Sequence, residues 1–129
     1  MPYGRSVLVE EPVPEAVQRV KEALAAQGFG TLTEIDVQAT LKEKLDVEVA
    51  PYVILGACNP SLAHRALEAE PDVGLLLPCN VVVRTHGDRT LVSAVDPQMI
   101  ADFMDHPELR SIADEATALL DAALASLEA

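Results

Sequence analysis

Apolar positions in the first third of the chain change their period twice. The segment SVLVEE (6–11) is typical of a short β-strand. Apolar residues then recur at helical spacing, and Gly28 follows them as a C-terminal stop. These residues are Val13, Val17, Val20 and Leu24. In GFGTLTEIDV (28–37) the period shortens to two, which predicts a half-buried strand. Its inward face would carry Phe29, Thr31, Thr33, Ile35 and Val37.

The middle of the chain predicts a short helix, a buried strand and a second helix. QATLKEKLDVE (38–48) has the charge density of a short surface helix, and YVILGAC (52–58) is a short apolar run typical of a strand. Asn59 suits the N-cap of the next helix and Pro60 its first helical position. The inward stripe of that helix would consist of Leu62, Ala63, Ala66 and Leu67.

The last third predicts a β-hairpin followed by two helices. LLLPCNVVVRT (75–85) and RTLVSAV (89–95) flank a His-Gly-Asp turn. Pro78 inside the first of these runs indicates an edge strand or a bulge, because proline cannot donate a ladder hydrogen bond. Asp96-Pro97 repeats the cap-plus-proline signal before PQMIADFM. A final helix starts near Pro107, with an apolar stripe of Leu109, Ile112, Ala116, Leu119, Ala123 and Leu127.

The order of these elements predicts the fold class. Hairpin-connected strands mixed with crossover helices favour an α+β fold, a mostly antiparallel sheet with helices packed on one face. A doubly wound parallel sheet is disfavoured, because the last two strands are joined too tightly for a parallel crossover. At 129 residues the chain fits one domain, residues 1–129, with room for a hydrophobic core.

Composition narrows the classes of function. A net charge of −12 disfavours nucleic acid and anionic membrane surfaces, both of which select clustered Lys and Arg. No apolar stretch is long enough to span a membrane and no signal peptide is visible, so the cytoplasm is the expected location. With only four aromatic residues, the core must be built from Val, Leu, Ile and Ala. Two asparagines and three methionines hint at a thermophilic source.

Two Cys-Asn pairs are the candidate chemistry. The chain has two cysteines, Cys58 and Cys79, and each is followed by one of its two asparagines, Asn59 and Asn80. Asn59 has a structural explanation as a helix cap, whereas Asn80 and the doubling do not. We therefore expect these four residues to form one composite ligand-binding site. The plainer interpretation is that both cysteines are small packed side chains.

Three chemistries are open to the two thiols. Cys58 and Cys79 could bind a metal such as zinc, although structural zinc takes four ligands and His64, His86 or a second subunit would have to complete the set. They could form a reversible disulfide if their strands are neighbours. Cys58 could also act as a nucleophile, since it precedes a helix N-terminus that favours a thiolate. A Cys-His-Asn combination is nominally present, but any chain with three histidines offers one.

The motifs ILGACNPSLAHRAL, LLPCNVVV and VSAVDP together resemble the family known as domain of unknown function 302. The resemblance covers nearly the whole chain and rests on Gly56, Asn59-Pro60, Leu77-Pro78 and Asp96-Pro97 in the order and spacing of the family. It implies a small α+β domain that tends to self-associate. It implies no reaction, and one branch of the family carries the two cysteines while others lack them.

The leading hypothesis is a cytoplasmic, self-associating module with a small-ligand or metal site near the Cys-Asn pairs. We expect a homodimer with twofold symmetry, held by Leu- and Ala-rich helix faces. Two alternatives remain open. One is a thiol-dependent enzyme or redox protein that uses Cys58 and Cys79, and the other is a purely structural interaction protein.

Overall fold

The computed structural model describes residues 3–128 and contains one five-stranded antiparallel sheet in the order β1-β5-β4-β3-β2. The strands are β1 (Gly4–Val9), β2 (Gly30–Asp36), β3 (Tyr52–Cys58), β4 (Cys79–His86) and β5 (Arg89–Val95). The helices are α1 (Val13–Ala26), α2 (Val37–Leu45), α3 (Pro60–Ala69), α4 (Pro97–Met104) and α5 (Pro107–Ser126), with a 3-10 helix at Pro71–Leu76. The α+β prediction is confirmed.

One face of the sheet packs against α1 and α5. The predicted stripe of α1 is buried there, and β1, β3, β4 and β5 contribute alternate residues from the facing side. Leu55, Val83 and Val92 have no measurable exposed surface. This core is made almost entirely of Val, Leu and Ala, as the lack of aromatic residues requires.

A second hydrophobic cluster lies where α3, the 3-10 helix and α4 meet α5. Its buried members are Leu62, Ala66, Val73, Ala101, Leu109, Ile112, Ala113 and Ala116. Helix α5 therefore spans both clusters and joins the helical end of the molecule to the sheet. The apolar face of α5 is used inside the chain, so the prediction that Leu- and Ala-rich helix faces form the dimer contact is wrong for this helix.

Strand β2 differs from its prediction. Phe29 is buried, but no residue of β2 itself is, and Val37 begins α2 after Asp36 caps that helix by accepting a hydrogen bond from the Ala39 amide at 2.9 Å. The register explains the difference: Ile35 lies opposite Ile54, on the face that α1 and α5 do not cover. A register shift between Thr31 and Thr33 separates Phe29, which reaches the core, from Ile35, which lies on the uncovered face.

The apolar run before Cys79 also differs from its prediction. Leu75 and Leu76 belong to the 3-10 helix, and Glu70 caps its start by accepting from the Asp72 amide at 3.0 Å. Strand β4 begins only at Cys79 and lies between β3 and β5. Pro78 therefore precedes a central strand and takes no ladder position, so the prediction of an edge strand at Pro78 is wrong.

Candidate ligand-binding site

A cavity of about 340 Å³ lies where the two hydrophobic clusters meet. Its walls come from the C-terminal end of β3, the start of α3, the middle of α5 and the residues just before β4. The space exists because small residues line it on several sides: Ala57, Ala63, Ala66, Gly74, Ala113 and Ala116. Larger side chains on the same elements would fill it.

The lining of this cavity contains no Asp, Glu, Lys, Arg or His. Apart from backbone groups, its polar atoms belong to Cys58, Asn59 and Cys79. In a chain with a net charge of −12, an uncharged apolar chamber is a distinct environment. It favours neutral apolar molecules over ions, because its side chains offer no charged partner to an ion that gives up part of its hydration there.

Asn59 caps α3 and faces the cavity at the same time. Its Oδ1 accepts a hydrogen bond from the Leu62 amide at 3.3 Å, so the predicted N-cap is confirmed. Its Nδ2 lies beside Gly28, where an added Cβ would be 3.1 Å away. Among the described residues Nδ2 donates no hydrogen bond, which leaves both of its N–H groups free for a ligand acceptor.

Cys79 lies opposite Ala57 in the pairing of β3 with β4, and Cys58 is the next residue of β3 and its last. The two strands are therefore neighbours, and both cysteines are free thiols on the wall of the cavity. Burial, together with a smaller contribution from charge on Cys58, raises the pKa of the Cys79 thiol from 9.0 to about 11. Cys79 is consequently a neutral thiol at physiological pH.

Asn80 does not join this cavity. Successive side chains of a strand point to opposite faces, so Asn80 points away from Cys79. It lines a neighbouring space of about 480 Å³ together with Val95, Met99 and Phe103. Pro78 and Ile100 border both spaces and separate them. Of the four predicted site residues, the structure brings together Cys58, Asn59 and Cys79.

The histidines named as further metal ligands lie elsewhere. His64 is 76% exposed, and its Nε2 is 3.2 Å from Oε1 of Glu68 on the outside of α3. His86 is the exposed last residue of β4. Within residues 3–128, no group of three or more His, Cys, Asp or Glu side chains is close enough to hold a metal ion. The described part of one chain thus offers two thiols and no third ligand.

The residues that sequence reasoning missed are the small ones that create the space. Ala116 was part of the predicted apolar stripe, where it is indistinguishable from an ordinary core alanine, and Ala113 was not in that stripe. The signal that could have drawn attention to them is the unusual share of alanine among inward positions of α3 and α5. Such a face packs without filling all the space between elements.

No helix among the described residues is both long enough and apolar enough to cross a bilayer. A search of curated proteins found none that matches this chain. Among solved structures, one match is the crystal structure of an uncharacterized conserved DUF302 protein from Bacillus stearothermophilus. It is 33% identical, has a TM-score of 0.91, and the match covers 98% of this chain and 99% of that one.

The family match spans both hydrophobic clusters and the whole wall of the cavity. The pattern described as "Domain of unknown function DUF302" covers residues 5–127, which include all five strands apart from Gly4. The resemblance first indicated by Gly56, Asn59-Pro60 and Asp96-Pro97 is thereby confirmed. This chain belongs to the DUF302 family.

Proposed function

We propose that this protein binds a small, neutral, largely apolar molecule in the cavity lined by Cys58, Asn59 and Cys79. The observation that carries the proposal is an apolar chamber of about 340 Å³ with no charged side chain in its wall. This volume lies within the usual range of small-molecule sites, roughly 300–1,000 Å³. The expected location is the cytoplasm, where both thiols stay reduced.

The polar atoms of the wall define the ligand more closely. The free N–H groups of Asn59 Nδ2 can donate to a carbonyl, ether or hydroxyl oxygen. The neutral thiol of Cys79 adds a polarizable, weakly polar surface and no charge. The ligand class that fits is a compact hydrocarbon skeleton, about the size of one or two fused rings, with one hydrogen-bond acceptor. Phosphates, sugars and amino acids would leave polar groups unpaired.

A redox function is the second candidate, because both thiols border the same cavity. Cys58 and Cys79 lie one residue out of register on paired strands and share one wall. Oxidation would join them in a disulfide and pass two electrons and two protons to a disulfide partner, which would be reduced to two thiols. Cys58→Ser would abolish such an activity but would leave the binding of a neutral ligand largely intact. A thiolate-bound metal such as zinc stays a prediction that needs ligands from outside residues 3–128 of one chain.

The test is a fluorescence titration with a neutral, solvatochromic naphthyl ketone, a bicyclic molecule with one acceptor oxygen. The filling variant is Ala113→Leu, whose added carbons would occupy the cavity. The matched control is Ala122→Leu, the same change on the same helix at an exposed position. Thermal melts of both variants establish that each is folded.

We expect the wild type and Ala122→Leu to bind the ketone with a blue-shifted emission, and Ala113→Leu to lose binding by about tenfold or more, since the added carbons take up the space of the ligand. Equal binding by all three proteins would overturn the proposal. Equal loss in both variants would do so as well, because the exposed control does not touch the cavity.

A further inference from the structure

The sheet has a second face, opposite α1 and α5, that we call the open face. Strand register aligns its outward residues in rows across the sheet. The central row is Ser6, Ser93, Val82, Ile54 and Ile35. The adjacent row is Leu8, Leu91, Arg84 and Tyr52. The open face is defined by these nine residues.

The open face is chemically closer to an interior than to a surface. Six of its nine side chains are aliphatic or aromatic, and Leu8 and Ile35 are 37% and 47% exposed. The hydroxyl groups of its two serines are hydrogen-bonded to each other, because Ser6 Oγ and Ser93 Oγ are 2.7 Å apart. The centre of the face can therefore lose its water without leaving these two groups unpaired.

The charge pattern points to the occupant. The chain carries 21 acidic and 9 basic residues, yet none of the nine residues of the open face is acidic. Two copies that met through a surface rich in carboxylates would bring like charges together, and the repulsion would grow as the charges came closer. A face without carboxylates is where a second copy of this acidic chain docks with least repulsion.

Apolar surface continues at both ends of the open face. At one end, Met99 and the 79%-exposed Phe103 of α4 border the space shared with Asn80 and Val95. At the other end, residues 49–51 border a space of about 380 Å³ together with Tyr52 and Arg84. These flanks enlarge the apolar area beyond the sheet itself.

We propose that the open face is the interface of a twofold homodimer in which two sheets pack face to face. Five strands at ~4.8 Å spacing, each about six residues long, give a face of roughly 24 by 20 Å. That is about 480 Å² of flat area, to which the flanks add, against the roughly 800 Å² per partner that stable interfaces bury. A twofold axis brings the same surface of both copies together, so the open face of one copy would pack against the open face of the other.

This interface also explains the alternation in β2. Ile35 lies on the open face opposite Ile54, whereas Glu34 turns to the helix side and pairs with Lys21. The period-two pattern of β2 thus puts Ile35, which is 47% exposed, where a partner would bury it. The proposal is independent of ligand binding in the cavity, since Cys58 and Asn59 contribute no residue to the open face.

The test measures oligomeric state by sedimentation velocity over a range of concentrations. Val82→Glu places a carboxylate at the centre of the open face, and Leu8→Glu places one on its edge strand, where partial exposure lets the chain fold. The matched control is Ala25→Glu, an apolar-to-acidic change at an exposed position of α1. If Val82→Glu does not unfold cooperatively on heating, it is not properly folded, and the oligomeric state of Leu8→Glu then decides the test.

We expect a dimer for the wild type and Ala25→Glu, and a dissociation constant raised about a hundredfold or more in the two open-face variants, because each would bury an unpaired carboxylate. Salt should tighten the wild-type dimer, since it screens the repulsion between two acidic chains. A wild type that stays monomeric at about 100 μM, a protein concentration far above the dissociation constants of stable interfaces, would overturn the proposal. Open-face variants that dimerise as tightly as Ala25→Glu would overturn it too.

Discussion

Gly56 and Thr33 lie so close together on paired strands that a side chain at position 56 has no room. A Cβ at Gly56 would stand 2.1 Å from Oγ1 of Thr33 and 2.8 Å from Cγ of Pro78. Pro78 borders both the proposed ligand cavity and the space beside Asn80. Because Gly56 has no side chain, Thr33 of β2 and Pro78 before β4 can both lie close to the backbone of β3.

Gly56→Ala should lower the free energy of unfolding by about 1–3 kcal/mol, the usual cost of forcing an extra methyl group into a filled site. Thr33→Ala in the same chain should recover part of that loss, because it removes the nearer of the two colliding atoms. Urea denaturation measures both changes.

The control for this pair is Gly30→Ala, the same change in β2, where the nearest atom is a backbone oxygen 4.0 Å away. It should leave stability within a few tenths of a kcal/mol. If Gly56→Ala is as stable as Gly30→Ala, the close approach between β2 and β3 does not exist as described.

Cys79 should titrate far above an ordinary thiol. Thiolate absorbance of a Cys58→Ser variant, in which Cys79 is the single cysteine, should rise above pH 9 as the buried thiol ionises. In the wild type the inflection should move up to about 11, because a charge on Cys58 adds to the effect of burial. An inflection at or below pH 9 in folded Cys58→Ser would show that Cys79 is not buried as described.

The same pKa shift has a consequence for stability. The folded pKa of Cys79 is raised, so the folded state keeps its proton where the unfolded chain loses it. The stabilisation is complete below pH 9 and is lost as pH rises from about 9 to about 11. Wild type should therefore lose more stability than Cys79→Ala across this window, by up to about 2–3 kcal/mol. Urea midpoints that fall in parallel for the two proteins would contradict this.

Asn59→Ser should separate the capping role of this residue from its proposed ligand contact. Serine caps helices about as well as asparagine, so stability should change little. The serine hydroxyl cannot reproduce the two N–H donors of Nδ2, so affinity for the naphthyl ketone should fall about three- to tenfold, the worth of one neutral hydrogen bond. Affinity for the matching naphthyl hydrocarbon, which has no oxygen, should not change. A parallel loss for both probes would assign Asn59 a purely structural role.

Features set by a few consecutive residues were predictable from the sequence. The caps at Asn59, Asp96 and His106 are present as side-chain acceptors of hydrogen bonds from the backbone amides two or three residues later. The predicted caps at Asn59 and Asp96 are short polar side chains followed directly by proline, and His106 precedes Pro107, where the last helix was predicted to start. The hairpin at residues 86–89 also formed where its turn residues indicated. These signals are local, so no distant contact can override them easily.

Features set by distant contacts were not predictable in the same way. An alternating strand such as β2 has one apolar face, but the sequence does not say whether helices cover that face or leave it open. The run at Leu75–Leu77 is too short for periodicity to separate a strand from a helical turn. The cavity itself depends on how α3 and α5 meet across the end of β3, which no local pattern encodes.

The composite site was partly predictable. The pairing of β3 with β4 could only be supposed, yet it brings Cys58 and Cys79 to one wall. The separation of Cys79 from Asn80 follows from strand geometry alone, since neighbours in a strand point to opposite faces. A stricter use of that rule would have assigned Asn80 to the other side of the sheet.

The most direct test of ligand binding in the cavity is a set of nuclear Overhauser effects between the bound naphthyl ketone and methyl groups of the protein. The account predicts contacts from the naphthyl protons to the methyl groups of Ile112, Ala113 and Ala116. Contacts to Val82 and Leu91 instead would place the probe on the open face and contradict the assignment of the cavity as the binding site.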